Sequence, residues 1–178
     1  TVDVSTWQFN YKGPQRMFTG CSGCKNISLM PVVFSDIDLP DNHTQWTLDS
    51  MFEGCSSLQS LDLSTWDTRP KADGSFSITS TVQMFSGCSS LTNINFGLNW
   101  DTSKLTNVGH MFKDCSSYNE DLSGWNCDLV TYCTDFGINA GFGCNEVNPA
   151  VGCSKMPSFP NCETGSGQGP CFPGQDCP

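Results

Sequence analysis

The 178 residues are 37% hydrophobic and carry 18 acidic against 8 basic side chains, a net charge of −10. That balance argues against nucleic acid or an anionic membrane surface as a partner, and no apolar run approaches the roughly 18 residues of a membrane span. Twelve cysteines, an even number, are too many for a reducing cytosol and point to secretion.

The chain opens on Val2-Asp3-Val4-Ser5-Thr6-Trp7, which aligns with Leu61-Asp62-Leu63-Ser64-Thr65-Trp66, so it begins in the middle of a repeat unit. An open strand edge is expected there, covered by upstream residues or by the end of another molecule. Nothing at this end resembles a signal peptide, so an export signal is expected to have been removed or to lie outside the chain.

Met17-Phe18-Thr19-Gly20-Cys21-Ser22-Gly23-Cys24 then introduces a string that returns as Met51-Phe52-Glu53-Gly54-Cys55-Ser56-Ser57-Leu58, as Met84-Phe85-Ser86-Gly87-Cys88-Ser89-Ser90-Leu91 and as Met111-Phe112-Lys113-Asp114-Cys115-Ser116-Ser117-Tyr118. The Met positions are 34, 33 and 27 residues apart (51−17, 84−51, 111−84), a period in the range of stacked repeat coils. After each string comes an apolar spacing of the kind Leu58-x-x-Leu61-x-Leu63 or Leu91-x-x-Ile94-x-Phe96, which predicts a short strand with Leu61 and Leu63 inward and Asp62 wet. Each large apolar side chain so buried contributes roughly 1.5–3 kcal/mol. One unit cannot hide its own apolar face, so units must stack.

The segment before each Met, such as Thr102 to Phe112, spaces apolar residues at Leu105, Val108, Met111 and Phe112, which predicts a short helix or helical turn opened by a Ser/Thr cap. Strands end at Trp66-Asp67, Trp100-Asp101 and Trp125-Asn126, where the polar residue is expected to bond the turn backbone. Asp36 to Gln45 lengthens the second unit and Arg69 to Thr79 inserts a Pro, Gly and Ser-rich loop. A fifth unit, Val130 to Phe142, keeps the outline, with Cys133 where a Met is usual and no clear strand.

From residue 144 the composition changes. Cys144, Cys153, Cys162 and Cys171 fall at nine-residue steps, with Cys177 beyond, among prolines and a Gly/Ser run. Such a tail has little apolar area to offset chain entropy and is expected to be irregular and stapled by disulfides. With a boundary at Gly143, seven cysteines fall in the repeats and five in the tail, so full oxidation requires a bridge between them. Cys127 and Cys133 are the expected partners.

The Met-Phe-x-Gly-Cys-Ser-Ser-Leu string, with Leu61-Asp62-Leu63-Ser64-Thr65-Trp66-Asp67 and Trp100-Asp101-Thr102-Ser103-Lys104-Leu105-Thr106-Asn107-Val108, resembles the repeat of BspA-type leucine-rich-repeat surface proteins, a group also described as a domain of unknown function in mycoplasma lipoproteins. The resemblance covers about residues 2–143. It implies an extracellular repeat scaffold used in adhesion or surface coats and carries over no catalytic residue.

The expected fold is therefore a leucine-rich-repeat-like solenoid over 1–143, with a short helix and a short parallel strand per coil, followed by a disulfide-rich tail over 144–178. The expected role is a secreted, non-enzymatic building block of a coat or fibre, or an adhesin, associating end to end. A soluble module binding a glycan or protein through its sheet face is the alternative. Sequons place N-glycans at Asn26 and Asn42. Cys55, Cys88 and Cys115 share one slot and are read as buried apolar thiols, with disulfides between neighbouring coils the competing reading. Cys21-x-x-Cys24 has no second ligand pair and is read as structural rather than as a redox or zinc site. Trp7, Trp66, Trp100 and Trp125 form a row expected to pack under the turns, with Trp66, Trp100 and Trp125 the residues of a possible ligand platform. The aspartates lack calcium-site spacing, and His43 and His110 sit in no recognised catalytic context, so neither metal nor cofactor is expected.

Overall fold

The computed structural model describes residues 2–3, 14–29, 31–33, 45–74, 76–142 and 153–162. Trp7, Asn42, His43, Cys144, Cys171 and Cys177 lie outside them. The secondary structure is almost entirely short parallel strands: β1 Val2–Asp3, β2 Ile27–Ser28, β3 Val32–Val33, β4 Gln45–Thr47, β5 Ser60–Asp62, β6 Trp66–Asp67, β7 Ser77–Ser80 and β8 Asn93–Asn95.

Pairing always joins equivalent positions of successive repeats. β1 pairs β2 and β5 pairs β8, with Leu61 opposite Ile94. β4 pairs β7, and the same line continues through single bridges from Ser80 to Asn107 and from Asn107 to Tyr132. β3 pairs β6. Every pair is parallel because each crossover is one whole repeat, far longer than a hairpin can be. Alternation through β5 and the residue after it is as the spacing predicts: Leu61 and Leu63 are buried and Asp62 is exposed.

The expected helix before and through each Met-Phe string does not form. Among the described residues the helical segment is a single 3₁₀ turn at Cys153–Lys155. In the second copy, Met51, Glu53 and Cys55 donate their N–H groups to carbonyls three residues back, while the intervening Ser50, Phe52 and Gly54 donate to Val82, Met84 and Ser86 of the next copy. A helix would keep all of these donors to itself; here half of them join one copy to the next. Two left-handed residues per copy make this possible, Ser50 (φ 54°) and Gly54 (φ 73°), recurring as Gln83 and Gly87, His110 and Asp114, Asp135 and Asn139. Gly, Asp and Asn are the residues that tolerate this region best.

Those dihedrals also correct the register of the fifth copy. Phe112 N–H donates to Phe136, as Phe85 N–H donates to Met111, so Phe136 takes the Met slot, and Cys133 takes the slot three residues earlier, that of Leu48 and Val108.

The copies share one core. Phe18, Phe52, Phe85 and Phe112 stack as a column with centroids 5.3, 5.5 and 5.3 Å apart, and Phe136 meets Phe112 edge-on at 5.4 Å. The tail segment adds to it, since Met156 and Phe159 are buried and Phe159 lies 5.1 Å from Phe136. Lys155 reaches back to the Asn119 carbonyl at 2.8 Å, and its own carbonyl accepts from Leu122 N–H at 2.7 Å. The tail is therefore anchored by apolar packing as well as by a disulfide, which its Pro and Gly content did not suggest.

Candidate functional site

Cys55, Cys88 and Cys115 are fully buried free thiols. Each occupies the same point of the turn and donates to the carbonyl of the Phe in the preceding copy: Cys55 to Phe18 at 3.2 Å, Cys88 to Phe52 at 3.1 Å and Cys115 to Phe85 at 3.0 Å. No disulfide joins them. Burial pushes Cys55 and Cys115 from 9.0 up to about 12 and raises Cys88 as well, so all three stay protonated and inert at neutral pH.

Cys133 is bonded to Cys162, with 6.0 Å between their Cα atoms, and so ties the fifth copy to the tail. Cys127 is a buried free thiol that burial pushes up to about 12. Cys153 opens the 3₁₀ turn.

The Trp row divides. Trp66 is completely buried, and a ligand platform through it is excluded because its ring lies in the core. Trp100 and Trp125 are half-buried, and Phe96 lies between them at 4.8 and 5.0 Å, forming a three-ring cluster. Beside it in sequence Leu98 is fully exposed. The sequence set Phe96 in the apolar strand spacing and did not single out Leu98, and neither was grouped with the tryptophans because neither occupies the Trp slot. Their signal is the Phe96-Gly97-Leu98 stretch leading into Trp100, apolar where the equivalent stretch of the preceding copy is Leu63-Ser64-Thr65.

Asn26 is exposed beside buried Ile27. The turn aspartates bond their own backbone: Asp62 accepts from Ser64 N–H at 2.9 Å, Asp101 from Ser103 at 2.7 Å and Asp121 from Ser123 at 2.9 Å. Hydrogen bonds from Ser64 and Ser123 hold Asp62 and Asp121 below the usual carboxylate range. His110 Nδ1 and Lys113 Nζ lie 3.4 and 3.5 Å from one Asp135 oxygen. Among the described residues, no group of three or more His, Cys, Asp or Glu is placed to hold a metal ion. No helix of the described residues is long and apolar enough to cross a membrane.

A family model described as "Mycoplasma protein of unknown function, DUF285" matches residues 46–140, just over half of the chain. The chain belongs to this family. The DUF285 match runs from β4 through the copies at Met51, Met84 and Met111 to the left-handed Asn139, and the first copy at Met17 precedes it. No curated protein and no solved structure matches the chain.

Proposed function

We propose that this protein is a secreted, non-enzymatic building block of a cell-surface coat or fibre, or an adhesin: a BspA-type, leucine-rich-repeat-like solenoid that associates end to end. The observation that carries this reading is the repetition of backbone bonds between copies. The same alternate N–H groups donate forward at Ser50, Phe52 and Gly54, at Gln83, Phe85 and Gly87, and at His110, Phe112 and Asp114. A surface that joins its own copies by a fixed register of backbone bonds is suited to join a further copy from another molecule, and such a head-to-tail contact continues as a fibre. Secretion is supported by the twelve cysteines, the Cys133–Cys162 disulfide and the exposed sequon at Asn26. N-glycans at Asn26 and Asn42 belong to the same reading. Light scattering and negative-stain imaging test it: concentration-dependent oligomers or fibres are expected, and a monodisperse 19.4 kDa particle at high concentration would refute self-assembly.

One observation favours a second reading, a recognition module. Phe96, Trp100 and Trp125 form a half-buried ring cluster next to exposed Leu98, and aromatic faces of this kind stack on sugars or anchor a protein partner. Glycan-array binding abolished by Trp100→Ala or Trp125→Ala would establish it, and an array with no signal for the unsubstituted protein would remove the glycan version.

A further inference from the structure

Each Met-Phe string closes with a turn in which the residue three after the Cys donates to the Cys carbonyl: Leu58 to Cys55 at 3.0 Å, Leu91 to Cys88 at 3.0 Å and Tyr118 to Cys115 at 2.9 Å. In the first copy the same bond runs from Cys24 to Cys21, at 3.0 Å. A cysteine thus fills the slot that holds Leu, Leu and Tyr elsewhere. A hydrogen-bonded turn keeps its first and fourth Cα atoms within about 7 Å, and a disulfide requires about 4.4–6.8 Å. The backbone that every copy uses therefore has the span of a disulfide, and the first copy alone among these four carries a thiol at both ends.

Two further features separate this pair from Cys55, Cys88 and Cys115. Those three are sealed in the core and committed to the Phe carbonyls of the preceding copies, whereas Cys21 and Cys24 are half-buried and close enough that Cys24 helps raise the Cys21 thiol. Cys55 neighbours both thiols, but it is fully buried and donates to Phe18.

We infer that Cys21 and Cys24 are a redox-active dithiol that closes into a local disulfide by exchange with a low-molecular-weight disulfide such as oxidised glutathione. One cysteine thiolate attacks a sulfur of the glutathione disulfide, breaking its S–S bond and releasing one glutathione as thiolate. The second cysteine thiolate then attacks the protein sulfur of the mixed disulfide, and the second glutathione leaves. The two cysteines lose two electrons, the glutathione disulfide gains them, and the two cysteine protons end on the two departing thiolates. Burial and the neighbouring Cys24 raise the Cys21 thiol above its ordinary value, so exchange quickens as pH rises.

Trypsin reads this directly, because Arg16 and Lys25 bracket a single peptide, Met17–Lys25, that holds both cysteines and no other. The folded protein is treated with oxidised glutathione, alkylated and mapped without reduction. The expected product is that peptide lighter by two hydrogen atoms, unalkylated and free of glutathione, and restored to two alkylated cysteines by dithiothreitol. In Cys24→Ser the resolving thiol is gone, and glutathione should remain on Cys21. Cys24→Leu, which restores the residue of the inner copies, should trap the same adduct while keeping the fold by circular dichroism. The inference is overturned if both cysteines of the unsubstituted protein remain alkylatable under excess oxidised glutathione. It is equally overturned if either is found bridged to Cys55 or another cysteine, or if the unsubstituted protein retains a stable glutathione adduct.

Discussion

In the inner copies Cys88 and Leu91 are sealed from water, with a copy of the repeat on either side; in the first copy the same two slots hold Cys21 and Cys24, and both are half-exposed. The turn is identical, down to the 3.0 Å bond that closes it. What differs is coverage. A thiol at this point is a small apolar core residue where it is sealed from water and is open to reagents where it is half-exposed, so its accessibility differs between copies although the string does not.

The largest test of that contrast lies in the Phe column. Phe85 is fully buried between Phe52 and Phe112, so Phe85→Ala should cost about 3–5 kcal/mol through the cavity it leaves. Among the described residues Phe18 stacks only on Phe52, and Phe18→Ala should cost about 1.5–3 kcal/mol, near the transfer cost of the ring. Urea unfolding measures both, and equal losses would break the distinction between inner and first copies.

Alkaline pH should separate the thiols next. Cys55 and Cys115 are raised from 9.0 to about 12 by burial, so the unfolded chain releases their protons first. The stability they contribute is fully present below about pH 9 and is lost as pH rises toward 12, at about 1.4 kcal/mol per pH unit for each thiol. Cys115→Ala should flatten the fall in urea midpoint above pH 9 by that share, and Cys21→Ala should flatten it less because Cys21 is half-exposed.

Backbone strain should not discriminate between the copies. Gly87 (φ 76°) and Gly20 (φ 75°) are both left-handed; an added Cβ meets nothing within 4 Å at Gly20 and only ordinary contact at Gly87, 3.5 Å from the Gly54 Cα. Gly87→Ala and Gly20→Ala should each cost about 1–2 kcal/mol, the local penalty for an L-residue there. A much larger loss at Gly87 would mean that packing between copies, not conformation, fixes this glycine.

The smallest expected effect is acidic. Asp62 and Asp121 are held below the usual carboxylate range by their turn hydrogen bonds, so what they contribute is present above about pH 4 and lost as pH falls through their folded values. Asp62→Asn keeps an acceptor without the charge, so it should slightly lower the urea midpoint at neutral pH and slightly reduce its further fall in acid.

Local chemistry was legible wherever a residue answers to its own neighbours in sequence. The repeat period, the alternation of Leu61, Asp62 and Leu63, and the turn role of Asp62, Asp101 and Asp121 all follow from two-residue alternation and from short polar side chains that reach their own backbone. The helix expected around Met51, Met84 and Met111 failed for the opposite reason. Apolar spacing places side chains on a face but does not say where an N–H group finds its acceptor, and here alternate donors go to the next copy.

By itself, then, the chain's sequence determined which residues recur, which face the core and which close turns, because these are properties of a single repeat. Only the tertiary structure decided that Trp66 is buried while Trp100 and Trp125 gather around Phe96, and that Phe136 rather than Cys133 takes the Met slot. It alone decided that Cys133 bonds Cys162 while Cys55, Cys88 and Cys115 stay reduced and Cys21 lies against Cys24. These outcomes depend on which copy lies over which, and a slot's solvent exposure and hydrogen-bond partners are set by residues about thirty positions away, beyond the reach of any local pattern.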